Sequence, residues 1–236
     1  MKKFLKDLRK HSDKERAKNL QWFFKTGKGQ YGEGDVFLGL RVPQIRAVVK
    51  DAARRLSLSQ VQKLLGSKYH EERLAAVLIL VEKYQKSDNP DKKVIYDFYL
   101  ANAKGINNWD LVDLSAPRIV GGYLLHRRDR KVLYRLVKSK NLWEKRIAIV
   151  STAMFIRDGQ LSDTLKISKM LLGDKHDLIH KAVGWMLREV GKKDRKLLEK
   201  FLKDNYSKLP RTTLRYAIER FPEDLRKKFL LGNYKS

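Results

Sequence analysis

The chain has 236 residues, no cysteine, 42% hydrophobic and 34% charged residues, few glycines (14) and few prolines (5). That composition suits an ordered helical protein with a sizeable core, and excludes disulfides, thiolate nucleophiles and cysteine-ligated zinc. With 53 Lys+Arg against 27 Asp+Glu the net charge is +26, which calls for a polyanionic partner, nucleic acid before a membrane surface, because no apolar run approaches the ~18 residues of a spanning helix.

Helical periodicity dominates and strand-like alternation is nearly absent, so helices are expected near residues 2–10, 13–25, 43–55, 59–65, 69–86, 91–103, 108–125, 129–138, 142–157, 162–172, 177–190, 194–206, 211–220 and 222–231. The N-terminal stretch is amphipathic and carries Asp7 without the apolar core of a secretion signal, so it reads as the first helix, while the absence of cysteine fits a cytoplasmic protein. Ser12-Asp13, Ser57 to Ser59, Asn107-Asn108, Ser162-Asp163 and Asp177 are candidate N-caps, Pro43, Pro90 and Pro222 suit first turns, and Gly66, Gly105, Gly159, Gly173 and Gly191 suit helix ends. Gly27-Lys28-Gly29-Gln30-Tyr31-Gly32 matches a dinucleotide-binding string, but follows an amphipathic helix instead of a strand and reads as a loop.

A repeat emerges when basic positions followed by small apolar residues are aligned: Arg73-Leu74-Ala75, Arg146-Ile147-Ala148, Lys181-Ala182-Val183 and Arg215-Tyr216-Ala217, with Asp110 in the same register. Each step of 34 to 37 residues holds two helices. The pattern implies an all-α fold, an α-solenoid of HEAT-like repeats forming one domain over 1–236, with a concave basic groove. A compact helical bundle is the alternative. Equivalent positions then line one surface and form a basic stripe, interrupted by Asp110.

His176 and His180 stand at the i,i+4 spacing of a zinc pair, but no third ligand lies nearby, so no metal is expected. The segment Asn107 to Pro117 differs in kind. Asp110 falls in a first turn, where the helix dipole alone explains an acid. Projected on a helix, Val112, Ala116, Ile119 and Tyr123 form the apolar stripe, with Trp109 at its edge and Asp113 just beyond. Pro117 cannot bond to the carbonyl of Asp113, so a kink is expected there; on local pattern alone, a structural salt bridge from Asp113 to a neighbouring Arg stands equal to a functional role. Of the four tryptophans, Trp22, Trp109, Trp143 and Trp185, core packing is the usual fate. Yet Trp185 lies four residues after Lys181, and Trp143 three before Arg146, the interleaving that a nucleic-acid surface uses.

Three segments in order, Asn108-Trp109-Asp110-Leu111-Val112-Asp113 with Pro117, Asn141-Leu142-Trp143-Glu144-Lys145-Arg146-Ile147-Ala148, and Lys181-Ala182-Val183-Gly184-Trp185-Met186-Leu187-Arg188-Glu189, resemble the AlkD family of DNA alkylation repair glycosylases. With Phe37-Leu38-Gly39 and Pro43 the resemblance runs over nearly the whole chain. It implies a monomeric protein that grips duplex DNA in the basic groove and hydrolyses the glycosidic bond of N3- or N7-alkylated purines, without metal or cofactor. It makes Asp113 the catalytic carboxylate and Trp109 and Trp185 aromatic walls around the deoxyribose. Arg146 becomes a phosphate ligand, and Arg188 and Arg41 further backbone contacts. Lys181 joins them through the basic register. Where the founding member of the family has a tyrosine in the second helix, this chain has Trp22-Phe23-Phe24. The reading from another class is a non-catalytic helical-repeat protein that binds structured DNA or RNA.

Overall fold

The computed structural model describes residues 1–234, and among these there is no β-strand. By internal contacts the chain divides into two units, Met1–Ile119 and the residues from Val120 onward, and each is described by itself.

The first unit contains α1 (Lys2–Arg9), α2 (Lys14–Phe23), α3 (Val42–Arg55), α4 (Leu58–Leu65), α5 (His70–Lys86), α6 (Asn89–Ala101) and α7 (Trp109–Ala116). Its axis is α5, against which α3, α4, α6 and α7 all pack. The eight residues Leu74 to Val81 are all buried, which explains why this stretch reads as continuously apolar instead of amphipathic. Helix starts follow the expected chemistry: the Asp13 carboxylate accepts the Arg16 N–H at 2.9 Å, and Ser57 and Gln60 exchange bonds in a capping box.

Gly39 holds φ +86°, and a Cβ there would come within 2.0 Å of the Asp13 carbonyl oxygen, so only glycine lets the 38–40 segment lie against the start of α2. The Asp13 N–H closes that contact by donating to the Leu38 carbonyl at 2.9 Å. The one β-like pairing described is an isolated bridge between Val36 and Tyr69, which ties the loop after α2 to the start of α5.

Beyond Ala116 the helix runs through a π-turn, Pro117–Gly121, into α8 (Gly122–Leu124). The disturbance expected at Pro117 therefore takes the form of a widened turn. The Leu114 carbonyl, four residues before Arg118, accepts from the Arg118 guanidinium at 2.7 Å.

The second unit continues with α9 (Lys131–Val137), α10 (Leu142–Ser151), α11 (Ala153–Arg157), α12 (Ser162–Leu171), α13 (Asp177–Lys193), α14 (Arg195–Asn205), α15 (Arg211–Ala217) and α16 (Glu223–Leu231). Here α13 is the axis, packed by α10, α11, α12, α14 and α15. Gly184 allows the approach of α15, since a Cβ would meet the Tyr216 Cβ at 2.5 Å. Two sequence expectations change at α13. Its N-cap is His176, whose Nδ1 accepts the Leu178 N–H at 3.1 Å, with Asp177 in the first turn, and Gly191 lies inside the helix, facing Leu198, instead of ending it. Similarly α12 starts at Ser162 without a side-chain cap.

Candidate functional site in the first unit

The site is built where α7 begins beside α2 and α5. Asn108 is fully buried; its amide oxygen accepts the Trp109 N–H at 2.8 Å, and its amide nitrogen donates to Asp35 at 3.2 Å. One residue therefore caps the helix and anchors it to the loop after α2. The Trp109 ring, half-buried, stacks on Phe24 with centroids 5.3 Å apart and planes 10° from parallel, while Phe23 meets it edge-on at 6.1 Å. Phe24 in turn stacks on Phe37 at 5.0 Å.

Beneath this aromatic layer sits a buried ionic cluster. His70 is 2% exposed, its ring 4.6 Å from Phe37 and 4.8 Å from Phe24. Its Nε2 lies 2.8 Å from Asp110 and its Nδ1 3.4 Å from Asp35. Asp35 also pairs with Arg73 at 2.6 Å, and Arg73 donates to the Ser67 carbonyl at 2.7 Å. Burial by itself disfavours the imidazolium, but the charge and hydrogen bond of Asp110, with help from Asp35, outweigh it and raise the His70 pKa to about 9. At neutral pH both ring nitrogens carry protons and donate. Burial likewise pushes the Asp35 carboxyl up, yet the bond to His70 and the Arg73 charge hold it below the usual carboxylate range.

The neighbouring acids on α5 are structural. Glu71 accepts the backbone N–H groups of Leu38, Gly39 and Leu40 at 2.9, 2.8 and 3.1 Å, and Glu72 takes a forked pair from Arg9 at 2.8 and 2.6 Å.

A cavity of about 350 Å³ opens among α2, α5 and α7, walled mainly by apolar side chains such as Leu20, Phe37 and Leu74, and lined also by Trp109 and Asp113. The two residues projected onto one border of the helix thus face one space. Asp110 lines it too, but its oxygens are committed, Oδ2 to His70 and Oδ1 to the Leu111 N–H at 2.9 Å. Its role exceeds the helix-dipole explanation given from sequence. Behind α7 the buried Tyr99 hydroxyl donates to Ser115 at 2.8 Å, and Ser115 to the Leu111 carbonyl at 2.6 Å; burial pushes the Tyr99 phenol up.

The remaining predicted residues have individual environments. Arg41, at the N-cap of α3, is exposed, and its backbone N–H donates to Gln44 at 2.7 Å. In the second unit Arg146 is buried and donates to the Leu178 carbonyl at 2.6 Å. Lys181 pairs with Asp177 at 2.8 Å on the surface of α13. Trp185 is half-buried on that helix, and Arg188 pairs with Glu219 and, at 3.7 Å, Glu189. A larger open hollow of about 860 Å³ around Arg127, Arg128 and Lys131 is strongly basic, and its Asp163 is held by Arg130 at 2.7 Å.

Two expectations are corrected here. Arg73 and Arg146 do not join an exposed stripe: Arg73 is 4% exposed and neutralises Asp35, and Arg146 is 5% exposed and donates to the Leu178 carbonyl. Trp22 is not core: it is 84% exposed. Sequence reasoning also missed His70, Asp35 and Phe24. The one available signal was the polar run His70-Glu71-Glu72-Arg73 opening a helix that is otherwise apolar over its next eight residues.

The fold and site define a class: an all-helical, strongly basic protein with a carboxylate and an indole lining an aromatic-walled cavity. The chain belongs to the DNA alkylation repair enzyme family, whose model matches residues 4–221. A solved structure described as a predicted DNA alkylation repair enzyme from Enterococcus faecalis shares the fold, with a TM-score of 0.69 and 18% identity, covering 90% of this chain and 98% of that one. No curated protein matches significantly. The family supports a role in the repair of alkylated DNA, and no helix among the described residues is long and apolar enough to cross a membrane.

Proposed function

We propose that the protein is a monofunctional DNA glycosylase, acting as a monomer, that hydrolyses the N-glycosidic bond of N3- or N7-alkylated purines in duplex DNA. The observation that carries this reading is the placement of Asp113 and Trp109 on one cavity whose remaining walls are largely apolar. An alkylated purine is already cationic, so the C1′–N bond breaks with its electron pair neutralising the base. What the reaction needs is stabilisation of the oxocarbenium-like sugar.

Asp113 supplies the negative charge and orients a water. The water oxygen bonds to C1′ and its proton passes to the carboxylate or to solvent. The Trp109 indole, its plane held by Phe24, offers an electron-rich face worth about 0.5 to 2 kcal/mol to a cation. Asp110 has a different part: its oxygens serve His70 and the helix backbone.

Arg41, Arg146, Lys181 and Arg188 are assigned to the DNA backbone and Trp185 to the sugar. Of these, Lys181 can exchange its surface partner Asp177 for a phosphate at little cost.

The test is release of N7-methylguanine from duplex DNA. Asp113→Asn should keep DNA affinity and lose release by on the order of 10²- to 10³-fold. Equal release by the variant removes Asp113 from the mechanism, and no release by the native protein from any cationic purine favours a binding-only protein.

A further inference from the structure

Arg16 is the one cation of α2 that lines the same cavity as Asp113 and Trp109. It reaches that position through helix geometry: Arg16, Leu20 and Phe24 recur at four-residue spacing, so one face of the segment presents all three to the cavity, while Lys14, Lys18 and Trp22 lie exposed on the other side. Its backbone is fixed by the Asp13 cap at 2.9 Å.

The guanidinium itself makes no hydrogen bond or ion pair among the described residues, and its Nε is shut off from solvent without an acceptor. Two of the three acids sharing the cavity, Glu71 and Asp110, are committed elsewhere. Glu71 is filled by three backbone N–H groups and Asp110 by His70 and its own helix. A half-buried guanidinium with an unsatisfied donor is a site waiting for a planar, multidentate anion, and the charge of +26 indicates which anion the protein meets.

We infer that Arg16 binds a backbone phosphate of a linkage neighbouring the lesion, so that the cavity presents a cation to the phosphate and a carboxylate to the sugar of the same strand. The inference rests on the DNA reading above. A cationic alkylated nucleotide is a zwitterion, positive at the base and negative at its phosphates, and Arg16 with Asp113 is the complementary arrangement. The spacing favours a neighbouring linkage over the target's own, since eight helical residues separate Arg16 from the Phe24 ring that backs Trp109, a rise of about 12 Å.

The experiment measures affinity against salt for a duplex carrying 2′-fluoro-N7-methylguanosine, whose fluorine slows cleavage, with single methylphosphonate replacements walked along three linkages on either side. Each phosphate neutralised contributes about 0.9 to the slope of log K against log salt. Arg16→Ala should lower that slope by about 1 and the low-salt affinity by about tenfold, and a methylphosphonate at one particular linkage should abolish the difference between Arg16→Ala and native protein.

Arg16→Lys keeps the charge but not the fork, and should retain the slope with an intermediate affinity; it also carries the linkage test should Arg16→Ala fail to fold. Unchanged slope and affinity in both variants overturn the assignment while leaving the DNA reading intact. A loss that is uniform over all linkages with unchanged slope assigns Arg16 to the fold and overturns it equally. Absence of salt-dependent binding by the native protein overturns both.

Discussion

Arg73 and Lys181 occupy the same register, each early in the central helix of its own unit, and the two units use them in opposite ways. Arg73 is 4% exposed and compensates Asp35 inside a cluster that also holds His70 and Asp110. Lys181 stays at the surface, paired one turn back with Asp177. At this position the first unit puts charge into architecture: the Asp35, His70, Arg73 and Asp110 cluster lies under an aromatic layer and holds Trp109 in place. The second unit keeps this cation where solvent, or a phosphate, can reach it. A shared helical register therefore fixes where a side chain sits, but not what that side chain does.

The sharpest way to break the comparison is to remove the buried member. Arg73→Ala leaves Asp35 as an uncompensated buried charge, and should cost about 3 to 5 kcal/mol of stability, measured by urea unfolding. Arg73→Ala combined with Asp35→Ala should recover much of that loss, because the pair, not the arginine alone, carries the energetics. If the single variant loses under 1 kcal/mol, the cluster is not the anchor described.

The next effect is a pH dependence. The His70 imidazole titrates near 6.5 when unfolded and near 9 when folded. Its contribution, about 3 kcal/mol, is fully present below pH ~6.5, declines as the pH rises and is gone above ~9, because over that range only the folded state retains the proton. Native protein should lose stability between pH 6.5 and 9.5 relative to His70→Gln, a comparison that cancels the titration of the many surface lysines. Parallel stability curves for the two proteins would show that His70 is not the charged member of the cluster.

The smallest expected change in stability is at the surface. Lys181→Ala should alter unfolding by no more than about 0.5 kcal/mol, as exposed ion pairs contribute little, yet reduce the salt slope of DNA binding by about 1. A variant that unfolds easily and binds DNA normally would reverse the contrast with Arg73.

Much of the fold was legible beforehand because helices are local. Periodicity placed nearly every helix within a few residues, and Asp13, Ser57 and Asn108 cap as their chemistry suggests, each through bonds to residues one to three positions away. Trp109 and Asp113 were legible as neighbours for the same reason, being one turn apart on α7. Gly191 and Trp22 were misread where a distant partner, or the lack of one, overrode the local pattern: Leu198 closes on the first, and the second projects 84% exposed from α2.

The amino-acid sequence by itself determined the helical content, the excess positive charge and the pairing of a carboxylate with an indole on one helix border. Only the tertiary structure decided that Asp110 serves His70, that Arg73 is interior, that Phe24 backs Trp109 and that Arg16 shares the cavity of Asp113. The physical reason is range. Helix propensity and capping act over a turn, whereas the partner that neutralises a buried charge or stacks on a ring is brought from tens of residues away by packing, and nothing in a single strand of letters records which one arrives.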